Sequence, residues 1–290
     1  MDLEENNKKI YLAIVSLVGV LFVLIFIMLI IFIWKKPINS TNNESTEDMK
    51  LGKYSNVTFS IEEQARLYTS NISTFLSSGD YEQLFNILKK EYIEYNSFDV
   101  AKFREYIIGK KINNKRFSLK EYKTSSYNGM KIIKLNLQDE NDENFNFVVN
   151  VFEASPNDYT IAFDNFVDYI PEEKKYNIDS LEVVLYNQVY YSNEYRTSIK
   201  ITNKGLNNFL LNKDKAAEII YLNQGENNDI KISDSVLLGK SLELKPNQSI
   251  NYSIRFLISE FSIEQLKKII IKDVTNEATN NTQNIEINLK

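Results

Sequence analysis

Residues Ile10 to Trp34 form an unbroken apolar run with no charge, proline or amide side chain. Crossing a hydrocarbon core of about 30 Å takes roughly 20 apolar residues at about 1.5 Å each, so the run is long enough to span and to tilt. It is expected to be a single transmembrane helix acting as a signal-anchor, touching the lipid bilayer through residues 10–34. A cleaved signal peptide fits less well. The stretch exceeds the usual roughly 7–15 residues, and Trp34-Lys35-Lys36-Pro37 offers no small-residue cleavage site. Tyr11 and Trp34 stand at its ends, where aromatic rings favour the interface. Lys8 and Lys9 on one side are matched by Lys35 and Lys36 on the other. The free amino terminus tips the expectation toward a short head inside and extracellular C-terminal domains on a single-pass cell-membrane protein.

The chain beyond this run is long enough for two domains. With 12% aromatic residues, most of it is expected to fold. Cysteine and histidine are both absent, which removes disulfides, thiolate nucleophiles, the commonest general base and the usual zinc ligands. A net charge of −5 argues against nucleic acid as a partner, since that binding rests on phosphate neutralisation. Eight glycines in the whole chain form no phosphate-cradling loop.

In order, residues 1–9 are a short polar head, 10–34 the membrane span and 35–55 a flexible linker rich in Asn, Ser, Thr and Glu. Asn-x-Ser/Thr triplets at Asn39, Asn43, Asn56 and Asn71 are expected to be chance in so Asn-rich a chain. Residues 56–172 read as an α+β domain. Ser60-Ile61-Glu62-Glu63 is a capping box opening a helix that Gly79 ends. Asp80 caps a second helix carrying Tyr81, Leu84, Phe85, Leu88 and Tyr92 on one side, and a third begins near Asp99. The period then drops to two. Phe117–Thr124 and Met130–Leu137 flank Tyr127-Asn128-Gly129, a strong hairpin signal, and strands at Phe145–Phe152 and Tyr159–Phe166 complete a four-stranded antiparallel meander.

Residues 173–290, after the charged break Pro171-Glu172-Glu173-Lys174-Lys175, read as all-β. Strands are expected at Leu181–Tyr190, Tyr195–Thr202, Ala217–Leu222, Ser249–Ile258, Lys268–Val274 and Asn284–Leu289, enough for a β-sandwich.

The helix start Ser60–Gly79, the polar break Ser77-Ser78-Gly79-Asp80-Tyr81 and the strands ending at Phe166 resemble the NTF2-like α+β domains of bacterial membrane-anchored proteins, three helices on a four-stranded sheet. Ile199-Lys200-Ile201-Thr202-Asn203 and Leu244-Lys245-Pro246-Asn247-Gln248-Ser249 resemble the immunoglobulin-like accessory domains of Gram-positive, clostridial-like surface proteins. The first resemblance implies an assembly module of conjugation or type IV secretion machines, a ligand pocket, or an enzyme built on Asp and Tyr.

Several clusters invite chemistry. Asp139-Glu140-Asn141-Asp142-Glu143 suggests calcium but lacks the spacing of a calcium loop, and a solvated hairpin turn is expected instead. Lys110, Lys111, Lys115, Arg116, Lys120 and Lys123 form a basic run, expected to be plain surface. Tyr68, Phe75, Tyr92, Phe147, Tyr159 and Phe163 could line a pocket or simply fill a core. Asp164, placed on the last strand among apolar neighbours, could act as a base beside a tyrosine oxyanion donor. By parity it would share a face with Thr160, Ala162 and Phe166.

No residue is assigned a catalytic, cofactor-binding or metal-binding role. The expected function is a membrane-anchored, non-enzymatic binding or assembly protein that meets a protein partner or a second copy of itself. A subunit of a conjugation or secretion-like complex is the alternative, and a small-molecule-binding or Asp/Tyr-based enzyme a more distant one.

Overall fold

The computed structural model describes residues 59–155, 158–216, 219–225, 229–231, 241–260 and 262–289. Helix α1 (Ile61–Ser78) starts at the capping box: Glu63 N–H donates to Ser60 Oγ at 3.2 Å and Ser60 N–H donates to Glu63 Oε2 at 2.7 Å. It ends where Gly79 takes φ +73° and donates its N–H to Phe75, a left-handed closure that a side chain would oppose. Asp80 caps the short α2 (Tyr81–Asn86), α3 spans Lys90–Asn96, and Asp99 caps α4 (Val100–Gly109).

Strands β1 (Phe117–Tyr127), β2 (Met130–Asp139), β3 (Asp142–Ser155) and β4 (Asp158–Phe163) form an antiparallel sheet in chain order. The first hairpin turns through Asn128 and Gly129, both with positive φ. Leu135, Val149 and Phe163 stand opposite one another on one sheet face, as do Ile133, Val151 and Ile161. The helices cover that face, with ring centroids 6.0 Å apart for Phe103 and Phe163 and 4.5 Å for Tyr68 and Tyr159.

The second sheet places β13 (Ser249–Leu257), β8 (Glu194–Asn203) and β7 (Leu181–Tyr191) side by side, with β5 (Phe166–Ile170) and β6 (Lys174–Ile178) sharing the far edge of β7. In the third, β14 (Lys268–Asn276) pairs β15 (Asn281–Asn288) on one edge. On its other edge it pairs first β10 (Ile220–Asn223) and then β9 (Phe209–Leu211), which extend to β11 (Asp229–Lys231) and β12 (Leu242–Leu244) respectively. A bulge at Asp273, φ +57°, makes that change of partner possible. Inward residues of both sheets, among them Leu185, Ile199, Phe256, Leu211, Leu222, Ile271 and Ile287, belong to the same continuous core as the helix-covered sheet. The described residues form one compact unit.

Two expectations are corrected. The fold class is not the three-helix NTF2-like α+β arrangement with an immunoglobulin-like partner: the described chain is mostly strand, with four helices and three antiparallel sheets. The second helix is divided because Ile87–Lys89 docks on the edge of β4, Ile161 N–H donating to Ile87 at 2.8 Å and Lys89 N–H to Ile161 at 2.8 Å. The fourth strand stops at Phe163, and Phe166–Ile170 leaves for the second sheet. β6, β9, β11 and β12 are three to five residues long, too short to show a period in sequence.

The single-pass, signal-anchored membrane character is not upheld either: among the described residues no helix is long and apolar enough to cross a membrane. The longest, α1, has 18 residues and carries Glu62, Glu63 and Arg66 in its first turns. The run 10–34, with the head and linker around it, lies outside the described residues.

Candidate functional site

Asp164 occupies the turn between β4 and β5 and not a strand, so the alternation that placed it beside Ala162 does not reach it. Asp164 and Asn165 both hold left-handed backbone, φ +58° and +63°, a two-residue reversal that Asp and Asn tolerate better than most side chains. Tyr106 donates its hydroxyl to Asp164 Oδ2 at 2.9 Å, and Lys110 donates to Oδ1 at 2.8 Å. Burial, reinforced by Tyr92 and Asp164, pushes the Tyr106 hydroxyl far above its usual pKa. Asp164 therefore faces a protonated phenol and an ammonium group. It is half-exposed and already paired, which is the setting of an ion pair and not of a base held in an apolar pocket.

The other sequence clusters resolve similarly. Asp139 is buried and receives Lys115 Nζ at 2.5 Å and the Asn141 amide at 2.9 Å, contacts that hold its carboxyl below the usual range. Asp142 and Glu143 are exposed at the start of β3, just past the turn. Among the described residues no three acidic, His or Cys side chains are placed to hold a metal. Three of the six residues of the basic run are in ion pairs: Lys110 with Asp164, Lys115 with Asp139, and Lys123 with Glu260 at 2.7 Å. Tyr68, Tyr92 and Phe163 are core residues. Asn71 donates to the Tyr159 hydroxyl at 3.2 Å, while Asn39, Asn43 and Asn56 lie outside the described residues.

A different site emerges on the second sheet. Arg196 of β8 and Arg255 of β13 are register partners, as are Ser198 and Ser253 two residues on. Like charges directly opposite across strands repel. Glu194 holds both guanidinium groups: Arg196 donates through Nε, and Arg255 Nη2 lies 2.7 Å from Glu194 Oε2. Burial alone would raise the Glu194 carboxyl, but its bonds to Arg196 and Arg255 outweigh that and lower it. Lys200 lies two residues beyond Ser198 on the same strand face, so three basic side chains gather along the strip.

Tyr95 of α3 and Tyr169 of β5 wall this strip, their rings 5.3 Å apart, and the Tyr191 hydroxyl donates to Tyr95 at 3.3 Å. Arg196 sits over the Tyr191 ring at 4.9 Å, adding cation–π support. Tyr95, Tyr169, Arg196, Ser198, Ser253 and Arg255 line an open groove of about 670 Å³ floored by β7, β8 and β13. It offers fixed positive charge, aromatic faces and serine hydroxyls, suited to an anionic or mixed polar–aromatic contact. Sequence reasoning missed it because its parts come from α3, β5, β7, β8 and β13. The one available signal was Arg-x-Ser facing Ser-x-Arg once β8 and β13 are paired. No protein-family model matches the chain, and a search of curated proteins finds no significant match.

Proposed function

We propose that this chain is a non-enzymatic binding or assembly protein and that the Tyr95–Tyr169–Arg196–Arg255 groove is its contact surface. The observation that carries this reading is the opposed arginine pair. Two guanidinium groups stand together at a cost in mutual repulsion, on an exposed face, with one carboxylate between them. Tyrosine and arginine beside one another are the residues that most often carry interface energy. The carboxylates argue in the same direction. Asp139, Glu153, Asp168 and Glu194 are each bound to a lysine or arginine, which fits structural ties better than proton transfer.

A charge placed in the groove tests the reading without disturbing Glu194. Ser253→Glu sets a carboxylate on the exposed strip while both arginines keep their partner. Sedimentation of the full chain over a concentration series at low and high salt, together with crosslinking capture of partners by wild type and variant, is the measurement. The expected result is salt-sensitive association or capture that Ser253→Glu weakens. A chain that stays monomeric throughout, with identical capture by both proteins, would sink the idea.

A further inference from the structure

The edge of β3 carries a second feature, separate from the groove. Ile161 directs its N–H and C=O away from β3, toward Lys89 and Ile87. In an antiparallel ladder, backbone direction alternates along the strand, so Thr160 and Ala162 face β3 and bond with their register partners Phe152 and Asn150. Pairing between β2 and β3 runs without a shift from Glu153 back to Asn146. The two-residue period then directs the N–H and C=O of Val148 and Asn146 to the same edge as those of Asn150. Past Phe163 no strand covers that edge, because the chain reverses at Asp164–Asn165 and Phe166 pairs with Tyr191 instead. The pairing with β4 ends at Val149, and no turn or loop backbone group among the described residues bonds to Asn146 or Val148.

Beside this open edge lies a hollow of about 250 Å³ lined by Phe145, Phe147, Phe163 and Tyr106, with Lys110 and Asp164 at its rim. Phe145 and Phe147 are partly exposed and share the helix-covered face, so the hollow is apolar on the side where alternate residues of an added strand would point. Past Asn146 the register with β2 shifts, 143–145 stand outside the pairing, and Asp142 and Glu143 are exposed beyond the edge.

We propose that Asn146–Val148 is a strand-addition site, where an extended segment of another polypeptide continues the line of β4. Main-chain hydrogen bonds to Asn146 and Val148 hold the segment, an apolar side chain between them enters the hollow, and a basic residue beyond it meets Asp142 and Glu143. Edges left open in this way template pairing, and pockets for alternate side chains then supply selectivity. The short span of the open edge and the lysine at its rim suit a brief docked segment better than sheet-to-sheet stacking.

Amide exchange and peptide binding on the full chain test this together. In the free protein the Val148 and Asn146 amides should exchange rapidly while those of Phe147 and Val149, turned toward β2, stay protected. Slow exchange at all four positions would overturn the proposal, since the edge would then already be covered. The binding probe is a fluorescein-labelled hexapeptide series with a central Val, Ile, Leu or Phe and either Lys or Glu two residues later. The apolar-centred lysine members should bind and slow exchange at Asn146 and Val148. N-methylation of the peptide amides that join the ladder should weaken binding by at least about tenfold. Val148→Pro should abolish it, and because that N–H joins no internal ladder the fold should survive, checked by circular dichroism. Equal binding of plain and N-methylated peptides overturns strand addition, as does the absence of binding by every member at millimolar concentration. The Ser253→Glu groove variant should bind these peptides like wild type, so failure here and failure of the groove are distinguishable.

Discussion

Arg196 and Arg255 face each other as register partners across β8 and β13, both bound to the buried carboxylate of Glu194. The arrangement makes Glu194 indispensable to the strip. Glu194→Gln keeps the shape and removes the charge, leaving two guanidinium groups opposed and a buried site without its anion. A loss of about 1–3 kcal/mol is expected, toward the lower end because both arginines are half in solvent. Urea unfolding measures it, and a Glu194→Gln/Arg255→Ser double variant should recover part of the loss by relieving the repulsion.

Acid should act on the same group. The folded-state pKa of Glu194 lies below its unfolded value, as do those of Asp139 and Glu260, so below neutrality the unfolded chain binds more protons. Their contribution is present above the unfolded pKa of about 4–4.5 and disappears as pH falls through the folded values. The urea midpoint should thus drop as pH is lowered from about 5 toward 3, and less steeply in Glu194→Gln. Identical slopes for the two proteins would remove Glu194 from the account.

At the alkaline end the tyrosines take over. Tyr92, Tyr106, Tyr127, Tyr190 and Tyr195 all have hydroxyls raised well above the ordinary tyrosine value of about 10, chiefly by burial. Above that pH the unfolded chain releases protons that the folded chain keeps, so stability is lost as pH rises through the unfolded value. The share of the tyrosinate absorbance that these five contribute should therefore appear only in a step coincident with loss of circular dichroism. Ionisation of all 18 tyrosines in a still-folded chain would contradict the burial.

Local chemistry was legible in the sequence where a residue acts through its neighbours. The Ser60–Glu63 capping box, the Gly79 closure and the Asn128–Gly129 hairpin all depend on groups within four residues of one another, and all are present. Features decided at long range were hidden from it. Nothing in Leu84–Tyr92 signals that Ile87–Lys89 will bond to Ile161 more than seventy positions away and split a helix. Likewise Phe166 continues the alternation of β4, and only the paired left-handed residues before it send it to another sheet. The arginine strip depends on the register of β8 with β13, which no local pattern encodes.

Asp164 offers a test of the turn against the charge. Asp164→Asn keeps a side chain that tolerates left-handed backbone and gives up the Lys110 pair, which is exposed on both sides. The cost should stay below about 1 kcal/mol. Asp164→Val adds a branched side chain at φ +58° and should cost clearly more, about 1–2 kcal/mol beyond the lost pair. Melting curves for the two variants settle the order, and a larger loss in Asp164→Asn would mean that the charge outweighs the backbone.

Gly205 fixes how closely the β8–β9 turn lies against the Asp179–Ser180 turn. A Cβ there would meet Ser180 Oγ at 2.5 Å and Ser180 Cβ at 2.7 Å, closer than side chains approach. The backbone cannot easily withdraw. Lys204 N–H donates to Ser180 at 2.8 Å, Gly205 N–H donates to Asn203 Oδ1 at 2.9 Å, and the Asn203 amide donates to Leu244 and Asn207. Gly205→Ala should therefore cost about 1–3 kcal/mol through overpacking. Adding Ser180→Gly removes both clashing atoms and should restore most of the loss, giving a coupling energy of similar size in a double-mutant cycle. If Gly205→Ala alone costs less than about 0.5 kcal/mol, the two turns are not held in register by their hydrogen bonds and Leu206, which they present 93% exposed, is not rigidly displayed.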